Sequence, residues 1–576
     1  MSADSQQQVE SRTSPTKQDE MVLSNASQAS DQDAIAAAET SKGIAGPRSY
    51  EVPEGIDEKK LLLKIDLKLI PWLSVLYLAS FLDRSAIGNA RLYGLENSLH
   101  MDTKSGTQFA IATAIFFIPY AIFEVPSNIL LKRLRPSVWF PLITCLVGIC
   151  MLSQGLVRTY PQLVGTRFCL GMTEAGLFPG VNYLLSGWYP RRSFGLRAAI
   201  FFSAATVSGA FGGLLSAAIH NMDGIGTLYG TPMEGWRWIF ILIGLATFVC
   251  GVLSIWLVHD FPDTARFLSE PERKLVIDRL QADQKFSAGG EGFQWNQIVK
   301  ASIDWKTWIG ALCYMGVDGP LYAFSVFTPT IVQALGYKAT AANLISVPIY
   351  VFACIVTIAV GFIADRKGNR ALINMIMISI GIVGYIILAA SRLPGLSYFA
   401  IYLAAAGIYP CIPNTIALTS TSVEGAYKRS VVMGIIISWG NINGAATTNV
   451  YRTKDKPWYT LGHGMIILYL VIGFATSFIY YMGLRRSNDR RARGLADETI
   501  LSQTDSSGHG SETLKEKAAE AREELAQKNI SNHGALGGGI RNLYARLGEA
   551  EGGVYATPEE AMAIKGDSYS KFVYSY

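Results

Sequence analysis

Two adjacent charges, Asp83 and Arg84, close an apolar run of 14 residues that begins at Leu69. At the helical rise such a run covers about 21 Å, short of the roughly 30 Å hydrocarbon core of a bilayer. A helix crossing a membrane here must therefore carry both charges below the surface, where each costs about 2.5–3.5 kcal/mol and needs a polar cavity or a partner. Neighbours on a helix point about 100° apart, so the two do not simply neutralise each other. A second pair, Arg167 and Glu174, stands seven residues apart in another apolar stretch. They share one helix face at about 10 Å, too far for an ion pair, and each needs a partner elsewhere. An arginine keeps its charge and grips a carboxylate with two parallel hydrogen bonds. A carboxyl that alternates between wet and dry surroundings loads and releases a proton. The chemistry on offer is anion binding coupled to protonation.

The elements that must hold these residues are membrane helices. Half of the 576 residues are hydrophobic and only 16% are charged, with positive mean hydropathy, whereas soluble domains carry about 25% charged residues. The net charge of +5 sits in short loops and at helix ends, which speaks to orientation in a membrane and not to nucleic acid. Apolar runs predict spans near 66–92, 107–131, 138–157, 161–189, 196–219 and 236–258. A charged linker follows at 259–305, and then come spans near 306–335, 342–364, 371–391, 396–422, 429–450 and 458–484. The expected organisation is a disordered tail (1–60), a six-helix bundle (61–258), the linker, a second bundle (306–484) and a charged tail (485–576). No apolar leader precedes the first span, so that span is expected to target the protein. The seven cysteines all fall in apolar runs, without zinc spacing or a disulfide framework.

Lys132, Arg133 and Arg135, then Arg191, Arg192 and Arg197, then Arg366, Lys367 and Arg370, then Lys428 and Arg429, and finally Arg485, Arg486, Arg490, Arg491 and Arg493 fall on one side if there are twelve spans. That side is the cytosol by the positive-inside rule, which places both termini there. Arg452, Lys454 and Lys456 fit this poorly. The halves echo each other: Gly176-Leu-Phe-Pro179 in span 4 answers Gly407-Ile-Tyr-Pro410 in span 10, and the Glu124 to Lys132-Arg133 exit answers Asp365-Arg366-Lys367. Paired bundles with a long linker suit a transporter that rocks about a central site.

The run from Gly361 through Asp365-Arg366-Lys367-Gly368 to Arg370 resembles the loop signature of the major facilitator superfamily, and Arg167-Phe-Cys-Leu-Gly171 resembles its second signature. Phe81 to Arg91, Phe117 to Asn128, Gly171 to Gly180 and Trp236 to Phe240 resemble the anion:cation symporter family, in its fungal allantoate and nicotinate permease branch. The resemblance covers roughly residues 60–490. Two departures bear on gating: Ile243 stands where many relatives have an acid, and Leu131 to Pro136 replaces the full loop signature between spans 2 and 3. The resemblance implies that Arg84 contacts the anionic group of the cargo, with Asp83 and Glu174 as coupling acids; Arg167 joins them from the reading of span 4.

The second half has no matching charges, since Tyr398 and Ala405 stand opposite Arg167 and Glu174. Its candidates for reading the cargo are Tyr322, Asn414, Trp439, Asn441 and Asn443, although asparagine between membrane helices also serves simply to tie them. Asp318 is a further acid near a cavity or a helix end. Asp365, Arg366 and Arg370 are expected to form a charge lock that biases one conformation, with Glu124 as a similar gate. Gly209, Gly212 and Gly213 suit close helix packing and lack the Gly-Pro signature of drug–proton antiporters. Glu512 to Lys528 reads as a charged helix, and Asn529-Ile-Ser531 as a glycosylation sequon unused in the cytosol. No catalytic dyad, metal set or phosphate loop is visible, so neither an enzyme nor a cofactor is expected.

The expectation is thus an all-α membrane protein of twelve helices in two pseudo-symmetric bundles. It would act as a monomer in the plasma membrane, importing a small organic anion with protons and drawing on the proton gradient. The alternatives are proton-driven export of a drug or metabolite, and a nutrient sensor with little flux.

Overall fold

The computed structural model describes residues 56–102, 106–228, 230–282, 295–336, 339–423, 426–451, 458–493, 498–500, 517–521 and 553–555, with positions 52 and 455. The N-terminal tail up to 51, Arg452, Lys454, Lys456, most of the Glu512 to Lys528 stretch and Asn529 lie outside the described residues.

Asp57 opens span 1 (Glu58–Leu92) by accepting from the Lys59 and Lys60 amides, satisfying donors that a helix start leaves bare. The first half continues with span 2 (Thr107–Ala114, then Phe117–Arg133), span 3 (Pro136–Gly155), span 4 (Tyr160–Glu174, then Leu177–Trp188), span 5 (Arg191–His220) and span 6 (Gly235–Leu257). Linker helices Glu270–Ala282 and Trp295–Ile303 lead to span 7 (Trp305–Ala334), span 8 (Ala339–Lys367), span 9 (Arg370–Ala390), span 10 (Pro394–Ile408, then Cys411–Thr421), span 11 (Ala426–Thr447) and span 12 (Thr460–Ala492). Among the described residues ten stretches are long and apolar enough to cross a membrane. Spans 4 and 11 complete the twelve. They fall short in hydropathy because they carry Arg167, Glu174 and Asn182, and Lys428, Arg429, Asn441 and Asn443.

Spans 2, 4 and 10 break at Ile115, Ala175 and Tyr409, each four residues before a proline: Pro119, Pro179 and Pro413. A proline has no amide hydrogen for the carbonyl four residues back, and its ring clashes with that carbonyl. The break in span 4 is set by the proline of its Gly176-Leu-Phe-Pro179 motif, whereas in span 10 it falls at the end of Gly407-Ile-Tyr-Pro410 and is set by Pro413 beyond it.

Glycines let the helices meet closely. A Cβ at Gly148 of span 3 would stand 2.6 Å from the Phe248 amide nitrogen in span 6, and Gly316 of span 7 lies directly on Gly473 of span 12. Between the halves, span 2 packs on span 11 and span 5 on span 8. The linker helix Glu270–Ala282 docks on the extension of span 1. There Lys64 meets Glu272 at 2.8 Å and Arg279 meets Glu58 at 3.4 Å, over Leu61, Ile65, Trp188 and Leu275. Burial pushes the Glu272 carboxyl up, but hydrogen bonds from Lys64 and Ser269 outweigh it and hold it below its ordinary value. Large apolar side chains such as Ile149, Trp256, Ile355, Phe399 and Phe478 are exposed on the spans, as lipid-facing surfaces require.

Candidate functional site

The two charges of span 1 part company. Asp83 turns into the first half, where both carboxylate oxygens lie 3.0–3.1 Å from the Thr247 hydroxyl of span 6. Arg84 turns to the interface between the halves. Its Nη2 donates to Glu174 Oε1 at 2.8 Å, and its Nη1 donates to the Tyr322 hydroxyl of span 7. Ser80, one turn below Arg84, donates to the same Glu174 oxygen. Four rings surround the guanidinium: Phe81, Phe116, Tyr120 and Tyr322, with centroids at 5.0–5.7 Å. A cation over aromatic faces gains up to about 2 kcal/mol when desolvated.

The chain of bonds continues into the second half and returns. Tyr322 donates to Asn441 Oδ1, and Asn441 Nδ2 donates to Glu124 Oε2 of span 2 at 3.3 Å. Glu174, Arg84, Tyr322, Asn441 and Glu124 are thus one polar thread stitched across both halves. Asp83, Glu124 and Glu174 are 0% exposed, and Arg167 and Asp318 1%, so every charge must be met inside the protein. Several atoms are not met: Arg167 Nε and Nη2, Glu174 Oε2, Glu124 Oε1 and Asp318 Oδ2 are buried without a hydrogen-bond partner.

A cavity of about 60 Å³ lies in the same interface, toward the end of span 1 remote from the N-terminus. Phe81 and Ser85 line it beside Arg84, with Arg91, Gly212, Phe327 and Tyr350 further along. At the opposite end the halves are latched. Asp365 Oδ2 accepts from the Leu196 amide of span 5 at 2.8 Å, and its Oδ1 pairs with Arg370 at 2.6 Å.

Of the residues singled out in the sequence, Arg84, Glu174, Tyr322, Asn441 and Glu124 come together. Glu124, expected at a gate, stands in the central thread, because its helix face is that of Phe116 and Tyr120. Three expected cargo contacts stand elsewhere. Asn414 donates to the Arg370 carbonyl and to Asn374, tying span 10 to span 9. Trp439 is 41% exposed and packs edge-on against Trp308. Asn443 donates to the Trp439 carbonyl and accepts from Tyr469 of span 12. Trp439 and Asn443 are each two residues from Asn441, a rotation of about 200°, so the three cannot share its face. Arg366 lies over its own helix's Phe362 and takes no part in the latch. Ser80, Phe116, Tyr120 and Thr247 were not singled out. The spacing of four between Ser80 and Arg84, and along Phe116, Tyr120 and Glu124, is the signal that marks three of them.

Two six-span bundles closing on a buried, charged interface define a secondary transporter, a multi-pass membrane protein and not an enzyme. The chain belongs to the Major Facilitator Superfamily, whose family model matches residues 73–448. It is 36% identical to the MFS-type transporter cnsO of Penicillium expansum over 76% of this chain and 85% of that one. It is 29% identical to the high-affinity nicotinic acid transporter of Saccharomyces cerevisiae over 75% of this chain and 79% of that one. Among solved structures the proton:xylose symporter XylE, bound to 6-bromo-6-deoxy-D-glucose, superposes with a TM-score of 0.56 at 13% identity. That match covers 74% of this chain and 96% of the other, and it speaks to fold alone.

Proposed function

We propose that this transporter imports a small organic anion together with protons, in the manner of the anion:cation symporter family. The observation that carries the reading is the buried 2.8 Å pair between Arg84 and Glu174. An internal carboxylate already occupies the arginine, so a cargo carboxylate docks only when Glu174 leaves. A buried carboxylate set free as an anion is costly, and taking a proton removes that cost. The exchange balances: Glu174 gains a proton, the cargo carboxylate takes its place on Arg84, and the net charge inside is unchanged. Opening to the other side and loss of the proton return Glu174 to Arg84 and expel the cargo. Asp83 on Thr247 is a second coupling acid, and Arg167 keeps positive charge near both. Asp365 and Arg370 hold the side of the termini shut while the cavity beside Arg84 receives cargo.

The relative named for nicotinic acid supports a carboxylate vitamin such as nicotinate; an allantoate-like ureide or a small peptide offers the same anionic group. The proton gradient is the energy source and no cofactor enters. The distribution of lysine and arginine supports cytosolic termini, and nutrient import suits the plasma membrane and a working monomer. The test is uptake of labelled nicotinate, allantoate and pantothenate into yeast lacking its own permeases, at two external pH values and with a protonophore. Acid-stimulated uptake of any of them, lost in Arg84→Ala, is expected. Uptake indifferent to pH and protonophore would remove the proton coupling.

A further inference from the structure

Two buried carboxyls remain that the exchange on Arg84 does not use. Glu124 of span 2 follows Tyr120 by four residues, and Asp318 of span 7 precedes Tyr322 by four. Tyr120 and Tyr322 are both rings of the Arg84 cage. Span 2 runs opposite to spans 1 and 7, so both acids lie one turn, about 6 Å, to the same side of the guanidinium. That is the side of the termini, away from the cavity. Both also face one turn of span 11. Asn441 donates to Glu124 Oε2, and a Cβ at its neighbour Gly440 would stand 2.9 Å from Asp318 Oδ2. Glu124 Oε1 and Asp318 Oδ2 are buried without a hydrogen bond, with the hydroxyls of Ser438 and Tyr314 as the neighbours of the two acids.

Charge points the same way. In the central layer Arg84 and Arg167 face Asp83, Glu174, Glu124 and Asp318, so full ionisation leaves negative charge in excess. The proton on Glu174 is matched by the cargo carboxylate and leaves that excess as it stands, and a cationic group answers part of it. The thread from Arg84 to Glu124 is not a proton wire, because it passes through the Asn441 amide, which holds its hydrogens on nitrogen. We infer that Glu124 and Asp318 are the far end of the cargo site and bind an ammonium group about 6 Å from the carboxylate seat on Arg84. The cargo is then a small zwitterion, such as an ω-amino acid or a short peptide. This rests on the anion reading of Arg84.

The experiment compares uptake of matched probes, 4-aminobutyrate against butyrate and 5-aminopentanoate against pentanoate, by the full chain in permease-deficient yeast. Surface expression is followed in parallel. The wild type is expected to prefer the amino member by about a hundredfold in kcat/KM, as a site built to meet a buried donor does. Glu124→Gln and Asp318→Asn are expected to cut that preference at least tenfold, and Glu124→Asp to restore part of it. A wild type that takes both members equally, or favours the plain acid, overturns the inference even if the variants fail to fold. Variants that shift the pH profile of both members alike, with the preference intact, overturn it in favour of a second proton site. Failure to take up any carboxylate while present at the surface removes the anion reading and this inference with it.

Discussion

At Arg84 three attractions converge: an ion pair to Glu174, a hydrogen bond to Tyr322 and four aromatic faces. Lysine supplies the charge without the planar fork, so Arg84→Lys is expected to lower uptake by about a hundredfold with normal surface expression. Glu174→Gln imitates the protonated acid. It is expected to bind and exchange anion at every pH and to lose uphill accumulation, which separates counterflow from net uptake in vesicles. Tyr322→Phe removes a charge-assisted bond worth about 1.5–3 kcal/mol and is expected to raise KM tenfold or more. The charges of this site were legible in the sequence because a membrane makes a charge expensive, so Asp83, Arg84, Arg167 and Glu174 stood out against their runs. Neutral residues carry no such penalty. Asn441 could not be told from Asn443 until the rotation of span 11 was known, and the partners of Glu124 lie hundreds of residues away.

Among the elements, those most legible were the long apolar spans, and the least legible were spans 4 and 11, whose polar residues weaken the signal that finds a span. The linker was read only as charged. Its docking on span 1 depends on Lys64 and Glu272, which are 208 residues apart. Because Glu272 titrates below its ordinary value when docked, the contact is fully present above about pH 4.3. It weakens as pH falls through the docked value. Hydrogen exchange over Glu270–Ala282 is expected to be slow at pH 7 and faster in Glu272→Gln at the same pH. Equal protection in both would show that the apolar contacts with Leu61 and Ile65 suffice.

For the whole molecule, the side-chain bonds that cross between the halves among the described residues include two layers, the central thread and the Asp365 latch. Asp365→Asn leaves the Leu196 amide a neutral acceptor and removes the charge that holds Arg370. A loss of about 1–2 kcal/mol shifts a two-state equilibrium five- to thirtyfold. Cysteine pairs across spans 5 and 8 near residues 196 and 361 are expected to label faster in this variant. Unchanged labelling would place the bias in the thread alone. The two-bundle architecture was readable from the repeated glycine–proline motif and the spacing of basic loops, whereas the latch's backbone donor, the Leu196 amide, carries no side-chain signature.

The break in span 4 falls immediately after Glu174. The carboxyl therefore hangs at the end of a short rigid rod, not in the middle of a long one. In the proposed exchange, a small twist of Tyr160–Glu174 would swing it off Arg84 while Leu177–Trp188 stays packed. Exchange of a carboxylate at the arginine then belongs to the nanosecond-to-microsecond range of local motion, and rocking of the bundles to the microsecond-to-millisecond range. Turnover becomes a fast equilibrium followed by a slow one. Under that regime heavy water alters how much carrier is loaded, through the acid's equilibrium isotope effect, and leaves the limiting velocity of a saturated carrier almost untouched.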